Sequence, residues 1–239
     1  NLSKNIAHFV SKYLTLVQTK VIPKREVERK QKKKLNDKYL EQEELKLLLD
    51  ALYSNPRHRL HAMITEFLAL TGLRYGELAA LQWKNFKGKS IVIDGTLDYT
   101  MSKMSEAVKT STKNDSSERI VDLPQKAIDI LKDIKNINAI RNDISRKDYI
   151  FISHAGTPLT IHALNSIIKN LSHKIGIKKT VTSHIFRHTH VSILSELNVP
   201  LKAIMERVGH SDANTTLQIY NHVTKKSKEK ITSALDDIF

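Results

Sequence analysis

Ser183-His184-Ile185-Phe186-Arg187-His188-Thr189-His190 is the stretch that organises the whole chain. His184, Arg187 and His188 stand at i, i+3 and i+4, so a helix over Ser183–Leu197 presents all three on one face. Val208-Gly209-His210 follows, and Tyr220 comes ten residues after His210. Far upstream, Thr71-Gly72-Leu73-Arg74-Tyr75-Gly76-Glu77-Leu78 supplies a second arginine. Between the two arginines, Thr112-Lys113-Asn114-Asp115-Ser116-Ser117-Glu118-Arg119 offers a lysine on a polar tip, with Lys109 four residues before it.

These residue types suit phosphoryl transfer to a tyrosine. The non-bridging oxygens of an attacked phosphodiester need charge stabilisation, and a guanidinium holds two of them in a planar fork at any working pH. A phenol near pKa ~10 needs activation before it can attack. The leaving oxygen needs a proton, and imidazole titrates near neutrality. Arg74 and Arg187, His184 and His210, Tyr220 and a lysine fill these roles by type. Zinc on His184 and His188 is a weaker reading: Arg187 would sit beside the cation, and no acidic or thiolate ligand is near. Alone, Tyr220 beside Leu217 and Ile219 reads as packing, and His188 and His190 read as structural.

Composition points the same way. The 239 residues carry 39 Lys and Arg against 25 Asp and Glu, a net +14, as a phosphate-backbone binder requires. Residues 1–38 hold 11 Lys and Arg against 3 Asp and Glu, so the basic excess is concentrated there. Hydrophobic residues at 40% are enough for a core, and the absence of cysteine removes disulfides and thiolate metal sites and fits a cytosolic protein. No apolar run reaches membrane-span length, and no secretory pattern opens the chain. The chain starts at Asn1, which reads as a piece of something longer.

Periodicity predicts helices over residues 1–18, Glu41–Tyr53, His58–Leu70, Tyr75–Leu81, Pro124–Ile140, Thr160–Ile175, Ser183–Leu197, Pro200–Val208 and Asn214–His222. Strands are expected over 90–94, Leu97–Lys109, Arg119–Leu123 and Tyr149–Ile152. The class is mainly α with a small antiparallel sheet, α+β. Lys24, Arg25, Lys32, Lys33 and Lys34 lie in a stretch with no apolar face, read as a basic strap along a duplex backbone. The tail, Lys225–Phe239, has a narrow apolar stripe of Ile231, Leu235 and Phe239.

The order Arg74, Lys113, His184-x-x-Arg187-His188, Gly209-His210, Tyr220 resembles the tyrosine recombinases, the phage-integrase family, over residues 39–224. Val208 stands where that family has leucine before Gly-His. The resemblance implies the catalytic-domain fold of that family. It further implies that Arg74 and Arg187 clamp the scissile phosphate, Lys113 protonates the departing 5′ oxygen, and His184 acts as acid/base. His210 would hydrogen-bond a phosphate oxygen, Tyr220 would form a 3′-phosphotyrosyl link, and Glu77 would support the active-site arginine. Residues 1–20 then resemble the last helix of a truncated core-binding domain, 21–38 the interdomain linker, and 225–239 a tail helix docking on a neighbouring protomer. The implied enzyme is a site-specific DNA integrase of a phage or mobile element in a bacterial cytoplasm, needing no metal, nucleotide or other cofactor. Its implied partners are a double-stranded recombination site, further copies forming a tetramer on DNA, and an accessory bending or excision factor, with no membrane. The rival readings are a type IB topoisomerase and a DNA-binding regulator with a vestigial site.

Overall fold

The helix Arg59–Thr71 lies at the centre, with Ala62, Met63, Ile64, Thr65, Phe67, Leu68, Ala69 and Thr71 buried around most of its circumference. The computed structural model describes residues 35–98, 108–110, 118–140, 148–209 and 213–236. Its helices are α1 (Gln42–Tyr53), α2 (Arg59–Thr71), α3 (Tyr75–Ala79), α4 (Gln125–Ile140), α5 (Ile161–Lys174), α6 (Ser183–Glu196), α7 (Leu201–Val208) and α8 (Ala213–Asp236). Its strands are β1 (Ser90–Ile93), β2 (Thr96–Asp98), β3 (Val108–Thr110) and β4 (Arg119–Asp122). All of them belong to the compact unit Leu35–Phe239.

Helices α1, α4, α5 and α6 all pack on α2, covering Ala62, Met63, Ile64, Phe67 and Leu68. The first of these starts where its sequence says it should. Glu44 reaches back to accept the Glu41 N–H at 2.8 Å, and Lys179 pairs with the same carboxylate at 2.6 Å. The start of α5 is fixed by Thr160, whose hydroxyl accepts the Ala163 N–H at 3.1 Å. Helix α6 is the second central element, packed on α2, α5, α7 and α8. It buries polar residues beside apolar ones: Arg187, His188, Thr189, His190, Ser192 and Ser195 are enclosed along with Ile185, Phe186 and Val191. Thr189 and Ser195 return their hydroxyls to the carbonyls of Ile185 and Val191, one turn back, and Thr189 also accepts the Leu40 N–H.

A smaller core of Tyr39, Val191, Ile204, Val208, Ile219 and Val223 lies under α8. Ties on the same side fasten that helix: Lys38 donates to Gln218 at 3.2 Å, Asn36 and His222 meet at 2.7 Å, and Lys226 pairs with Glu41 at 2.8 Å.

The mainly helical class with small antiparallel sheets is the observed one, but three elements differ from expectation. The strand expected over Leu97–Lys109 is not one strand. Leu97 pairs with Lys109 and Asp98 with Val108, so the chain has reversed between β2 and β3. Strand β1 instead pairs with β4, from Ser90 opposite Asp122 to Ile93 opposite Arg119. Residues 149–152 make only single bridges, Gln82 to Tyr149 and Ile152 to Pro158, because each side meets a different partner. The tail is not a separate helix either: α8 runs without a break from Ala213 to Asp236. The expected helix over 1–18 lies outside the described residues.

Candidate active site

Arg187 points inward from α6 and is only 1% exposed. Its Nη1 donates to the carbonyl of Gly72 at 2.9 Å and its Nη2 to that of Gly209 at 3.2 Å. Gly72 ends α2 two residues before Arg74, and Gly209 ends α7 one residue before His210. One guanidinium therefore joins three separate sequence boxes and places its charge at the negative ends of two helices. Both glycines sit at positive φ, +69° and +83°, which side chains of L-residues resist.

At Gly72 the space is filled as well, since a Cβ would lie 2.6 Å from Cδ2 of His190. Gly72→Ala is expected to lower stability by about 2 kcal/mol or more, from the left-handed backbone and the overlap together. Chemical denaturation checks it; an unchanged midpoint would mean that the end of α2 can rearrange.

Arg74 begins α3. Its N–H donates to Glu77 Oε2 at 2.9 Å and its Nη1 to Glu77 Oε1 at 2.8 Å. Arg119, from the first position of β4, reaches the other side of the same carboxylate with Nη1 at 3.1 Å and Nη2 at 2.8 Å. The Nε of Arg119 donates to the carbonyl of Arg207 at 2.8 Å. Burial pushes the Glu77 carboxyl up, but the hydrogen bonds and charge of Arg119, with those of Arg74, hold it below the usual carboxylate range. Arg119 was missed in the sequence, although a signal existed: it shares a strand face with Val121, which is fully buried.

His184 is exposed and lies one turn before Arg187, edge-on to buried His188 with ring centroids 4.4 Å apart. Tyr220 is half-buried on α8, its ring packed against the small core that Val191 of α6 shares. Lys109 is held in an ion pair with Asp94 at 2.5 Å and touches Asn85 at 3.3 Å. Lys113 and His210 lie outside the described residues, as do Lys24, Arg25, Lys32, Lys33 and Lys34.

Beneath the site, His190 Nδ1 meets the carbonyl of Ala69 at 2.8 Å and its Nε2 accepts from Arg207 Nε at 3.0 Å. Those partners require a neutral ring with the proton on Nδ1. Burial, then the charges of Arg207 and Arg187, push its pKa from 6.5 down to about 4, against the pull of the Ala69 carbonyl. The unfolded chain binds more protons between those values, so stability should fall as pH drops from 6.5 to about 4, by roughly 3 kcal/mol. The Glu77 carboxylate adds a loss in the same direction at lower pH still. Denaturation midpoints across that range check it, and His190→Gln should flatten the profile; an equally steep profile in His190→Gln would place the titration elsewhere.

The family model for the phage integrase family matches residues 38–227. The chain belongs to the phage integrase family. It is 45% identical over 224 residues to the "Prophage ps2 probable integrase" of Lactococcus lactis subsp. lactis strain IL1403, covering 90% of this chain and 58% of that protein. It is 33% identical to the integrase of Staphylococcus phage L54a, covering 89% of this chain and 63% of that one. The chain thus spans about three fifths of the length of these relatives. In fold it is similar to a Tn1549 transposon integrase solved with circular intermediate DNA, at TM-score 0.66 and 21% identity, covering 82% of this chain and 66% of that one. The XerA recombinase is also similar, at TM-score 0.61 and 24% identity, covering 82% and 62%. No helix among the described residues is long and apolar enough to cross a membrane.

Proposed function

We propose that this chain is the strand-cleaving part of a site-specific DNA integrase of a phage or mobile element, breaking and rejoining DNA through a 3′-phosphotyrosyl bond. The observation that carries the reading is Arg187, whose guanidinium bonds Gly72, 115 positions upstream and two before Arg74, and Gly209, 22 positions downstream and next to His210. A chain that only bound DNA would need arginines on its surface, not one enclosed with its charge aimed at a junction of three boxes.

In the proposed reaction Arg74 and Arg187 stabilise the charge on the non-bridging oxygens of the scissile phosphate. The Tyr220 oxygen attacks phosphorus as its proton leaves toward His184. A bond from phosphorus to Oη forms while the bond to the 5′ oxygen breaks, and Lys113 returns a proton to that oxygen. His210 donates to a phosphate oxygen. The ester keeps the energy of the broken bond, so rejoining draws on no nucleotide. The basic stretch 21–38 lies along the duplex in this reading, and further copies assemble on DNA as a tetramer, with an accessory bending or excision factor. The tail from residue 225 docks on a neighbouring copy.

Nicked duplexes tiled across the DNA flanking the coding sequence test this. A denaturant-stable, protease-sensitive DNA adduct mapping to the Tyr220 peptide is expected from one of them. A full set of tiles that are bound yet yield no adduct would leave a DNA-binding regulator as the answer.

A further inference from the structure

We propose that Arg119 is a positioning residue for this cleavage, keeping the Arg74 side of the site cationic; the inference rests on the recombinase reading. Glu77 alone would hold Arg74 in place and also cancel its charge. The structure avoids that outcome by giving the carboxylate a second partner. Four N–H groups converge on it: the backbone N–H and Nη1 of Arg74, and Nη1 and Nη2 of Arg119. The two arginines are placed differently. Arg119 is enclosed, its side chain 7% exposed, whereas that of Arg74 is 30% exposed, and that of Glu77 is 4% exposed. Arg119 and Glu77 therefore form the buried neutral pair, with the two-pronged geometry of a guanidinium–carboxylate fork. Arg74 is left oriented by that pair, and the cluster presents one net positive charge where an anion can approach.

Arg119 also fixes the approach to His210. Its Nε bonds the Arg207 carbonyl, in the last turn of α7, and a Cβ built on Gly209 would lie 3.4 Å from its Nη1. The backbone entering His210 thus lies against the Arg119 guanidinium. Arg119 also follows Lys113 by six residues in sequence, so one side chain joins stretches of chain next to three site residues.

Charge arithmetic separates this role from a structural ion pair. Removing the charge of Arg119 leaves Glu77 to neutralise Arg74, and removing that of Glu77 as well restores the net charge. The experiment uses the nicked duplex that traps the parent, and reads the single-turnover rate constant separately from the final amplitude, which reports the folded fraction. Arg119→Gln should keep DNA affinity within about threefold and form adduct about 100-fold more slowly. Arg119→Lys should stay within about tenfold of the parent, and Glu77→Gln added to Arg119→Gln should recover about tenfold of the loss. A parental rate constant in Arg119→Gln overturns the inference. So does a double variant slower than Arg119→Gln, the result for a pair that serves only folding. If Arg119→Gln does not fold, the lysine variant and the double variant, with its neutral pair of similar shape, decide the matter by the same rates. A parent that forms no adduct on any duplex overturns the recombinase reading instead.

Discussion

Tyr220→Phe should bind DNA as the parent does and form no covalent adduct, a fall of at least about 10⁴-fold in adduct formation. The expectation rests on how the ring is held. Tyr220 packs against the small core beneath α8, and its backbone carbonyl accepts the Thr224 hydroxyl at 2.9 Å. Phenylalanine keeps both features, so the fold and the DNA-facing surface stay. What disappears is the oxygen that would become the phosphate ester. A denaturing gel with labelled DNA reads the result directly, and an adduct of parental intensity would assign the nucleophile to another residue.

Arg187→Lys should lose both cleavage and stability, which distinguishes it from a variant at an exposed clamp. An ammonium is a compact charge on a flexible stem and cannot span the Gly72 and Gly209 carbonyls as the fork does. A buried carbonyl left without its donor costs about 1–3 kcal/mol. Loss of two-oxygen recognition at the phosphate should slow cleavage by about 10²- to 10³-fold. Thermal unfolding and single-turnover trapping measure the two effects independently. Parental stability would make the carbonyl contacts incidental, and parental cleavage would remove Arg187 from the clamp.

The helices were legible because their signals are local. Helix α6 starts at Ser183 and α5 at Ile161 within a residue of where periodicity and the Thr160 cap place them. The β2–β3 reversal was not legible, since residues 99–107 contain no glycine, proline or asparagine to mark a turn. Pairing across that gap depends on Leu97 meeting Lys109, a contact no local pattern announces. The boxes around Arg74, Arg187 and Tyr220 could be read as an ordered set. Their support could not: Arg119 and Arg207 look like ordinary surface residues until the fold encloses them, and His190, read as structural, has partners that only the fold names. A charged side chain at a strand start is read as solvated by default, and only its shared face with Val121 argued otherwise. The join between the tyrosine helix and the tail was also missed: Lys225 and Lys226 look like an end, yet the latter simply pairs with Glu41 and the helix continues.

That uninterrupted helix has a mechanical consequence. Tyr220 lies in the first third of α8, and sixteen residues follow it to Asp236. At ~1.5 Å per residue they form an arm of about 24 Å. The ties from Lys38, Asn36 and Glu41 reach Gln218, His222 and Lys226, so they grip the helix on both sides of Tyr220 as a fulcrum. A sideways push on the far end is then geared down into a small rotation at the phenol, and a side chain that must meet phosphorus in line is sensitive to rotations of that size. The rod turns a coarse displacement into a fine adjustment of aim.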